Sequence, residues 1–247
     1  MTKTKTKTKH FGIIGKPLAQ SFSANYFNKK FAEEGIDAEY SLYPLERIDD
    51  FPALLNRVSF SGMNVTIPYK SAVIPFLTEL DETAKEIGAV NVIRFLSGGK
   101  TIGYNTDAIG FMDSIGPKLK ETDKRALILG TGGAAKACFF GLKKLGISAT
   151  FVSRTPKAGQ LSYSELHLAD YQVIVNCTPL GMFPKTAEFP LLPYEQLNQA
   201  QFLYDCIYNP EETVFLREGR ARGCRTQNGM EMLFGQAKAA WRIWNNM

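Results

Sequence analysis

The chain has 247 residues, 45% of them hydrophobic, which is enough apolar content for one large domain or two modest ones. Its formal net charge of +5 comes mostly from a Thr/Lys alternation over residues 2–9, so it gives no reason to expect nucleic-acid binding. No apolar run approaches the roughly 18 residues that cross a bilayer, and the run 11–14 is too short for a signal peptide. We expect a disordered basic tail over residues 1–10 and neither a nucleic-acid nor a membrane partner.

Few residues of the chain are suited to metal binding or histidine catalysis. The only histidines are His10 and His167. The four cysteines are widely spaced and form no CxxC pair, which argues against a zinc site or a disulfide scaffold and suits the cytoplasm. They are Cys138, Cys177, Cys206 and Cys224. We therefore expect no metal.

Strand and helix patterns alternate over the first 106 residues. The predicted strands are 11–14, 40–43, 63–66, 92–95 and 100–103, and the predicted helices are 23–34, 49–58 and 71–86. Ser23 can cap the first helix and Gly35 can end it, while Pro75 interrupts the third. Gly98 and Gly99 predict a hairpin turn between the last two strands.

Polar side chains follow several of these strands. Asn64, Thr66 and Lys70 place an amide, a hydroxyl and an amine at the end of one strand, and Asn91 and Asp107 lie in later loops. Ligands of open α/β sheets bind outside the carboxyl ends of the strands. Each residue alone is as consistent with a turn or a cap as with a ligand contact. Together they favour a pocket for a polyol.

The second half contains the most informative motif. The apolar strand 126–129 runs into Gly130-Thr131-Gly132-Gly133-Ala134-Ala135, which opens a predicted helix at 134–145. Such glycines let the backbone turn tightly and approach a pyrophosphate bound at the helix start. The alternative is an ordinary strand-to-helix turn. The remaining predicted strands are 149–152, 173–176, 202–205 and 225–227, and the remaining helices are 107–115 and 231–244.

The second strand of this unit indicates which dinucleotide binds. Its end usually carries an acid for the ribose 2′-hydroxyl of NAD, but here it continues as Ser153-Arg154-Thr155. Arg154 can pair with a 2′-phosphate that an acid would repel. The expected cofactor is therefore NADP.

These motifs resemble those of the shikimate dehydrogenase family. The similar segments are 21–23, 64–70, 88–91, 103–110, 130–137, 176–182, 205–216 and 229–236. The resemblance implies an α/β fold with two domains, namely an N-terminal substrate domain with a mainly parallel sheet and a Rossmann-like domain for NADP. The implied boundaries are 11–106 together with 229–247 for the first and 107–228 for the second.

The resemblance also implies a reaction and its residues. The family reversibly reduces 3-dehydroshikimate to shikimate with NADPH, a step toward chorismate and aromatic amino acids. Lys70 and Asp107 match the catalytic pair. In this pair Lys70 exchanges a proton with the substrate, and Asp107 orients Lys70. The residues that match the substrate contacts are Ser21, Ser23 and Tyr208 for the carboxylate, and Asn64, Thr66, Asn91 and Gln236 for the ring hydroxyls.

On the cofactor side, the resemblance extends to eleven positions. They are Gly130, Gly132, Gly133 and Ala134 in the pyrophosphate turn, Ser153, Arg154 and Thr155 near the adenosine 2′-phosphate, and Thr178, Met182, Gly229 and Met232 near the ribose and nicotinamide. Two positions depart from the family pattern. Ser153 replaces a frequent Asn, and Ala158 stands where a second basic residue is common, with Lys157 one place earlier.

Two alternatives stay open on sequence grounds. One is a relative that also oxidises quinate, although Ser23 and Arg154 are both present here. The other is a protein that binds NADP or a metabolite without turnover, which would be expected to lose Lys70 or Asp107. We expect a cytoplasmic enzyme, monomeric or homodimeric, with shikimate or 3-dehydroshikimate as its small-molecule partner.

Overall fold

The computed structural model describes residues 8–18 and 21–246. Backbone packing divides the chain into two compact units. Unit 1 comprises Met1–Thr106 with Ala240–Met247, and unit 2 comprises Asp107–Ala239. The predicted α/β class with two domains is confirmed. Within the described residues, no helix has both the length and the apolar character that a bilayer crossing requires.

Unit 1 contains a six-stranded mixed sheet. Its elements are β1 (Lys9–Gly15), α1 (Phe22–Glu34), β2 (Ala38–Pro44), α2 (Phe51–Arg57), β3 (Phe60–Val65), β4 (Glu79–Leu80), α3 (Glu82–Ile87), β5 (Val92–Phe95) and β6 (Thr101–Tyr104). The strand order is β2-β1-β3-β5-β6-β4. β1 is parallel to β2 and β3, whereas β5 and β6 form the predicted antiparallel hairpin.

Aromatic residues form one side of the unit 1 core. Phe27 of α1 packs its ring on Tyr40 of β2 at a centroid distance of 5.1 Å and on Trp244 at 5.0 Å. The Trp244 indole covers β3 at Gly62, where an added Cβ would lie 2.5 Å from the ring. Trp244 also donates its indole N–H to the Ile93 carbonyl at 3.1 Å. The last residues of the chain are thereby fixed to the unit 1 sheet.

Unit 2 contains a five-stranded sheet in which every pair is parallel. Its elements are α4 (Asp107–Ile115), β7 (Arg125–Leu129), α5 (Gly133–Lys144), β8 (Ser148–Val152), β9 (Val173–Asn176), β10 (Phe202–Asp205), α6 (Val214–Ala221), β11 (Arg225–Gln227) and α7 (Met230–Trp244). The strand order is β11-β10-β9-β7-β8. The chain thus goes from β7 outward to β8 and then returns past β7 to β9, which puts the topological switch point between β7 and β9.

The division between the units falls inside α7, at Ala240. Residues 229–239, which the sequence reading placed with the substrate domain, pack against α4 in unit 2. Gly110 permits this contact, because a Cβ there would lie 2.4 Å from the Met232 carbonyl and 2.8 Å from the Gln236 nitrogen. The expected boundary after residue 106 coincides with the division. The roles of the two units remain a prediction.

Three local predictions were wrong. The helix expected over 71–86 is instead a 3-10 turn at Ile74–Phe76, the short strand β4, and α3. The reason is competing hydrogen bonds, since the Asp81 carboxylate accepts from the Thr83 and Ala84 N–H groups and so starts α3 as a separate helix.

The other two concern the N-terminal region. Lys9 and His10 pair with Ala38 and Glu39, so β1 begins inside the expected tail, and residues 1–7 lie outside the described part of the chain. Ser21, not Ser23, occupies the N-cap position of α1, and it forms no side-chain cap hydrogen bond.

Candidate active site

The polar residues of unit 1 follow two adjacent parallel strands. β1 and β3 pair with Ile13 opposite Asn64, so both strands end at the same edge of the sheet. Past that edge the Thr66 N–H donates to the Ile14 carbonyl at 2.9 Å. Gly15 is required here, since an added Cβ would lie 2.3 Å from the Thr66 methyl group. This packing fixes the predicted substrate residue Thr66 beside the end of β1.

A continuous chain of side-chain hydrogen bonds crosses unit 1 next to this edge. The Tyr40 hydroxyl donates to Asn64 Oδ1 at 2.7 Å, and Asn64 Nδ2 donates to the Asn91 carbonyl at 3.2 Å. Asn91 Nδ2 in turn donates to Thr106 Oγ1 at 3.0 Å. The Ser23 hydroxyl bonds to Tyr40 at the other end. We call Ser23, Tyr40, Asn64, Asn91 and Thr106 the polar chain.

Burial determines which atoms of the polar chain donate hydrogen bonds and which accept them. All five members are buried. Burial raises the pKa of the Tyr40 phenol well above its ordinary value, against a smaller lowering by the Ser23 hydrogen bond. The phenol therefore stays protonated and donates to Asn64, which fixes the Asn64 amide with its oxygen toward Tyr40. Buried amides held in one orientation are suited to recognising a fixed pattern of hydroxyl groups.

Two further predicted residues of unit 1 are less buried. Lys70 is half-buried in the turn after β3, where its carbonyl accepts from the Val90 N–H at 2.7 Å. Ser21 is half-buried at the start of α1. Both lie on segments that leave the ends of β1 and β3. The structure therefore brings the predicted substrate residues of unit 1 to one edge of one sheet.

In unit 2 the glycine turn lies at the topological switch point. Gly130 follows β7 with a φ of +101°, a conformation that a side chain rarely adopts. A Cβ at Gly130 would lie 3.4 Å from both the Cys177 carbonyl and the Thr178 methyl group, at the end of β9. Open α/β sheets bind their ligands in this crevice. Thr178, predicted from sequence, is therefore adjacent to the predicted pyrophosphate turn.

The start of α5 is suited to an anion. Gly132 is its N-cap and provides no side-chain cap, and the first turn holds no acidic residue. The helix has 12 residues, so its first N–H groups carry a partial positive charge. Gly133 and Ala134 are the first two helical residues and are only partly buried. This arrangement fits the pyrophosphate of a dinucleotide.

The residues after β8 fit a phosphate rather than a free ribose. Arg154 and Thr155 are exposed, and the Thr155 N–H donates to Ser153 Oγ at 3.2 Å. Burial raises the pKa of Tyr163, and the positive charge of nearby Arg154 partly opposes that rise. An exposed guanidinium on a turn closed by Ser153 matches a 2′-phosphate contact. Lys157 is also exposed, three residues further on.

A buried network shapes the loop that follows β9. Asn176 Oδ1 accepts from both the N–H and the hydroxyl of Thr178, at 3.0 and 2.7 Å. Asn176 Nδ2 donates to Asp205 Oδ1 at 3.1 Å, and the Thr213 hydroxyl bonds to Asp205 Oδ2 at 2.6 Å. Burial raises the pKa of Asp205 to about 7, although hydrogen bonds with Thr213, Ile207 and Asn176 oppose this. The orientation of Thr178 thus depends on Asn176, which Asp205 holds in place.

The other predicted residues of unit 2 are distributed over the helices α4 and α7 and the loops after β9 and β10. Asp107 is buried at the first position of α4. Gln236 is buried on α7, and burial raises the pKa of half-buried Tyr208 after β10. Gly229 and Met232 are buried at the start of α7, and Met182 is exposed after β9. Lys70 lies in unit 1 and Asp107 in unit 2, so their pairing stays a prediction.

Sequence reasoning missed five residues of these networks, namely Tyr40, Thr106, Asn176, Asp205 and Thr213. Tyr40 was read only as a strand residue, and its phenol bonds to a residue 24 positions away. Asn176 and Asp205 are the last residues of two adjacent strands and lie opposite one another in the register. In the sequence they appear only as two polar residues that follow apolar runs. A polar residue at the end of a buried parallel strand was the available signal.

Comparisons with known proteins decide the family. Residues 13–93 match the model of the shikimate dehydrogenase substrate binding domain. A protein of Geobacillus kaustophilus named shikimate dehydrogenase (NADP(+)) is 37% identical over 96% of this chain and 92% of its own length. This chain belongs to the shikimate dehydrogenase family.

Solved structures of the family agree with the fold described above. The shikimate dehydrogenase of Aquifex aeolicus superposes with a TM-score of 0.88 at 31% identity, covering 100% of this chain and 95% of that one. The Thermus thermophilus enzyme, solved in complex with NADP(H) and shikimate, gives a TM-score of 0.85 at 29% identity and covers 97% and 94%. The predicted family is therefore confirmed over both units.

Proposed function

We propose that this chain is an NADP-dependent shikimate dehydrogenase, which reduces 3-dehydroshikimate with NADPH and a proton to shikimate and NADP⁺, reversibly. The observation that carries the proposal is the match of 96% of the chain to a relative named for that activity, because the match spans both units. The α5 start without a cap and the exposed Arg154 support NADP as the cofactor.

The chemistry needs one hydride and one proton. NADPH supplies the hydride for the carbonyl carbon. Lys70 donates its ammonium proton to the carbonyl oxygen during reduction and accepts the hydroxyl proton in the reverse direction. Asp107 orients Lys70 and accepts a hydrogen bond from a ring hydroxyl.

Substrate binding is proposed to use hydroxyls and amides rather than a buried cation. Ser21, Ser23 and Tyr208 hold the carboxylate through O–H donors, each worth about 1.5–3 kcal/mol toward a charged group. Asn64, Thr66, Asn91 and Gln236 bind the ring hydroxyls. The polar chain supports the assignment of the ring hydroxyls, because it fixes Asn64 and Asn91 before any ligand arrives.

The cofactor is proposed to lie along the carboxyl ends of β7, β8 and β9. Gly130, Gly132, Gly133 and Ala134 contact the pyrophosphate, and Ser153, Arg154 and Thr155 contact the adenosine 2′-phosphate side. Thr178, Met182, Gly229 and Met232 contact the ribose and nicotinamide. The domain roles follow from this placement, with unit 1 as the substrate domain and unit 2 as the NADP domain.

The cysteines bear on the location of the protein. The four cysteines all lie in the described part of the chain and none of them forms a disulfide there, which supports a cytoplasmic location. We propose shikimate and 3-dehydroshikimate as the small-molecule partners, with a monomer or homodimer as the assembly.

A substrate comparison tests the function. The purified chain should oxidise NADPH when 3-dehydroshikimate is added, and NADH should be a much poorer donor. In the reverse direction, shikimate with NADP⁺ should be oxidised far faster than quinate. Equal rates with quinate would favour the quinate-oxidising alternative, whereas tight NADP binding without turnover of either acid would favour a non-catalytic binding protein.

A further inference from the structure

Three of the four cysteines converge in unit 2. Cys138 Sγ lies 3.7 Å from Cys206 Sγ, and Cys177 Sγ lies 3.6 Å from Cys206 Sγ. All three sulfur atoms lie within 4.8 Å of one another. We call Cys138, Cys177 and Cys206 the thiol cluster. Cys224 is elsewhere, with its thiol donating to the Asn198 carbonyl at 3.1 Å.

The register of the sheet explains why residues so distant in sequence meet. Asn176 of β9 pairs with Asp205 of β10, so Cys177 and Cys206 are the next residues of two adjacent parallel strands. The ladder continues through them, since the Cys206 N–H donates to the Asn176 carbonyl at 2.9 Å. Their side chains therefore project to the same face of the sheet, where α5 supplies buried Cys138.

The spacing of the sulfur atoms fits metal coordination. Zinc–sulfur bonds of about 2.3 Å in tetrahedral geometry place two sulfur ligands about 3.8 Å apart. The two measured separations of 3.6 and 3.7 Å are close to that value, and the third is at most 4.8 Å. A disulfide needs two sulfur atoms about 2.05 Å apart, so a pair here would have to approach by more than 1 Å and leave the third thiol unused.

The donor atoms select the class of ion. Thiolates prefer soft or borderline-soft ions such as Zn²⁺, Cd²⁺ and Cu⁺ over Mg²⁺ or Ca²⁺. We propose that the thiol cluster is a binding site for a thiophilic d¹⁰ metal ion of the zinc and cadmium class, held by Cys138, Cys177 and Cys206. Each coordinating thiol releases its proton to solvent, and the three sulfur ligands leave a fourth position for water.

The site lies directly beneath the proposed nicotinamide side of the cofactor site, and this second step rests on the proposed function. The Cys177 carbonyl packs 3.4 Å from the Cβ position of Gly130, and Cys177 precedes Thr178. The Cys206 carbonyl lies against Gly229, where an added Cβ would approach it to 2.3 Å. Two of the sulfur separations already match coordination, so a bound ion would act mainly on the remaining pair, Cys138 and Cys177, which lie within 4.8 Å of one another, and would thereby move the loop after β9. We expect this movement to weaken NADP binding, and metal and NADP should then weaken one another by the same factor.

Cadmium titration of the full chain without cofactor tests the site. Cd²⁺ should bind one to one and produce the ultraviolet thiolate-to-metal charge-transfer absorption. Cys206→Ser should weaken this binding by more than the roughly 10–100-fold typical of losing an outer-sphere partner. Cys138→Ser repeats the test at a second ligand, and Cys224→Ser is the matched control that should bind like the parent chain. Thermal unfolding identifies any variant that fails to fold.

Two results would overturn the proposal. The site is wrong if the parent chain gives no charge-transfer absorption, or if Cys138→Ser and Cys206→Ser both bind Cd²⁺ as tightly as Cys224→Ser. The coupling is tested separately by measuring the NADP dissociation constant with and without bound Cd²⁺. Unchanged NADP affinity would refute the coupling alone. Because the absorption measurement needs no turnover, its outcome is independent of whether the chain reduces 3-dehydroshikimate.

Discussion

The two units present their proposed binding residues in opposite ways. In unit 1 the polar residues are buried and held by one another, as in the bond from the Tyr40 hydroxyl to Asn64. In unit 2 the proposed cofactor contacts are largely backbone groups and exposed side chains, such as the α5 start at Gly132 and the guanidinium of Arg154. The proposed contacts of unit 1 are thus held by a side-chain network, whereas those of unit 2 depend mainly on backbone conformation, with Thr178, which Asn176 holds, as the exception.

This difference matches the ligands proposed for each unit. A compact polyol is recognised by several hydroxyl contacts, and buried amides with fixed orientation can discriminate among hydroxyl positions. A dinucleotide is extended and charged, so helix N–H groups and an arginine bind it with little need for a buried network. Substitutions in the polar chain of unit 1 should therefore change substrate parameters, and those at the glycine turn or at Arg154 of unit 2 should change cofactor parameters.

The largest expected effect is at Lys70. If Lys70 transfers the proton, Lys70→Ala should lower kcat by roughly 10²–10⁴-fold, the usual range for a general acid or base. The KM for shikimate should change far less, because the contribution of one amine to ground-state binding is small. Steady-state kinetics in both directions measures the two parameters.

A surface lysine of the same unit provides the control. Lys85 is exposed and pairs with Glu82 at 2.6 Å, so Lys85→Ala should leave kcat unchanged. A Lys70→Ala variant with near-normal kcat and a raised KM would show that Lys70 only binds the substrate. The proton would then be transferred by another group.

The next effect concerns stability and comes from Asp205 in unit 2. Its pKa is about 7 in the folded chain against an ordinary value of 3.8. As pH rises from about 3.8 to about 7, the carboxyl ionises in the unfolded chain but stays protonated in the folded one. This favours the unfolded chain. The contribution of Asp205 to the free energy of unfolding is therefore full below pH 3.8 and is lost as the pH rises to about 7. The loss amounts to about 4 kcal/mol, at roughly 1.4 kcal/mol for each pH unit.

Asp205→Asn removes this titration and preserves the shape of the network. Denaturant unfolding across that pH range should show the parent chain losing stability relative to Asp205→Asn as pH rises. Asp113→Asn, on an exposed position of α4, is the control and should follow the parent chain. Parallel curves for the parent chain and Asp205→Asn would show that the buried acid has an ordinary pKa.

The contrast between the units also explains what the sequence could predict. The glycine turn could be predicted because a positive φ at residue 130 favours glycine, and that glycine stands between an apolar strand and a helix. The strands β9 and β10 were predicted with their observed ends, because buried parallel strands are short apolar runs bounded by polar residues. The polar, partly buried edge strand β11 was also predicted with its observed ends.

The partners in a side-chain network cannot be read from the sequence in this way. The bond from Tyr40 to Asn64 depends on how β2, β1 and β3 are ordered, and the sequence pattern does not contain that order. The thiol cluster was missed for the same reason, since its members belong to three different elements and show no metal-binding spacing. The helix expected over 71–86 failed because Asp81 caps a separate helix, a local hydrogen bond that overrides the apolar periodicity.

Arg154 tests the cofactor side of the comparison. Arg154→Ala should weaken NADP binding by about 1.5–3 kcal/mol, or roughly 10–150-fold, because a charge-assisted contact to the 2′-phosphate is lost. NAD affinity and the KM for shikimate should hardly change. Lys157→Ala tests whether a second cation binds the 2′-phosphate. If it does, Lys157→Ala should weaken NADP binding as much as Arg154→Ala does. Equal losses for NADP and NAD would assign Arg154 to the adenine or to the fold.

The smallest expected effect is at Tyr40, in the polar chain. Tyr40→Phe removes the only protein donor that the structure gives to Asn64 Oδ1 among the described residues, and leaves that buried oxygen unsatisfied. Such a loss costs about 1–3 kcal/mol of the free energy of unfolding. The Asn64 amide also loses its fixed orientation, so kcat/KM for shikimate should fall while the dissociation constant of NADP stays unchanged.

Tyr194→Phe separates these two consequences. Tyr194 is also buried and donates to the Pro190 carbonyl at 2.8 Å, but it lies in unit 2 outside the polar chain. Both variants should lose comparable stability in denaturant unfolding, whereas only Tyr40→Phe should lower kcat/KM for shikimate. If the two variants lose kcat/KM equally, the effect follows from stability in general. The polar chain would then be a structural feature of unit 1 rather than the element that orients its substrate contacts.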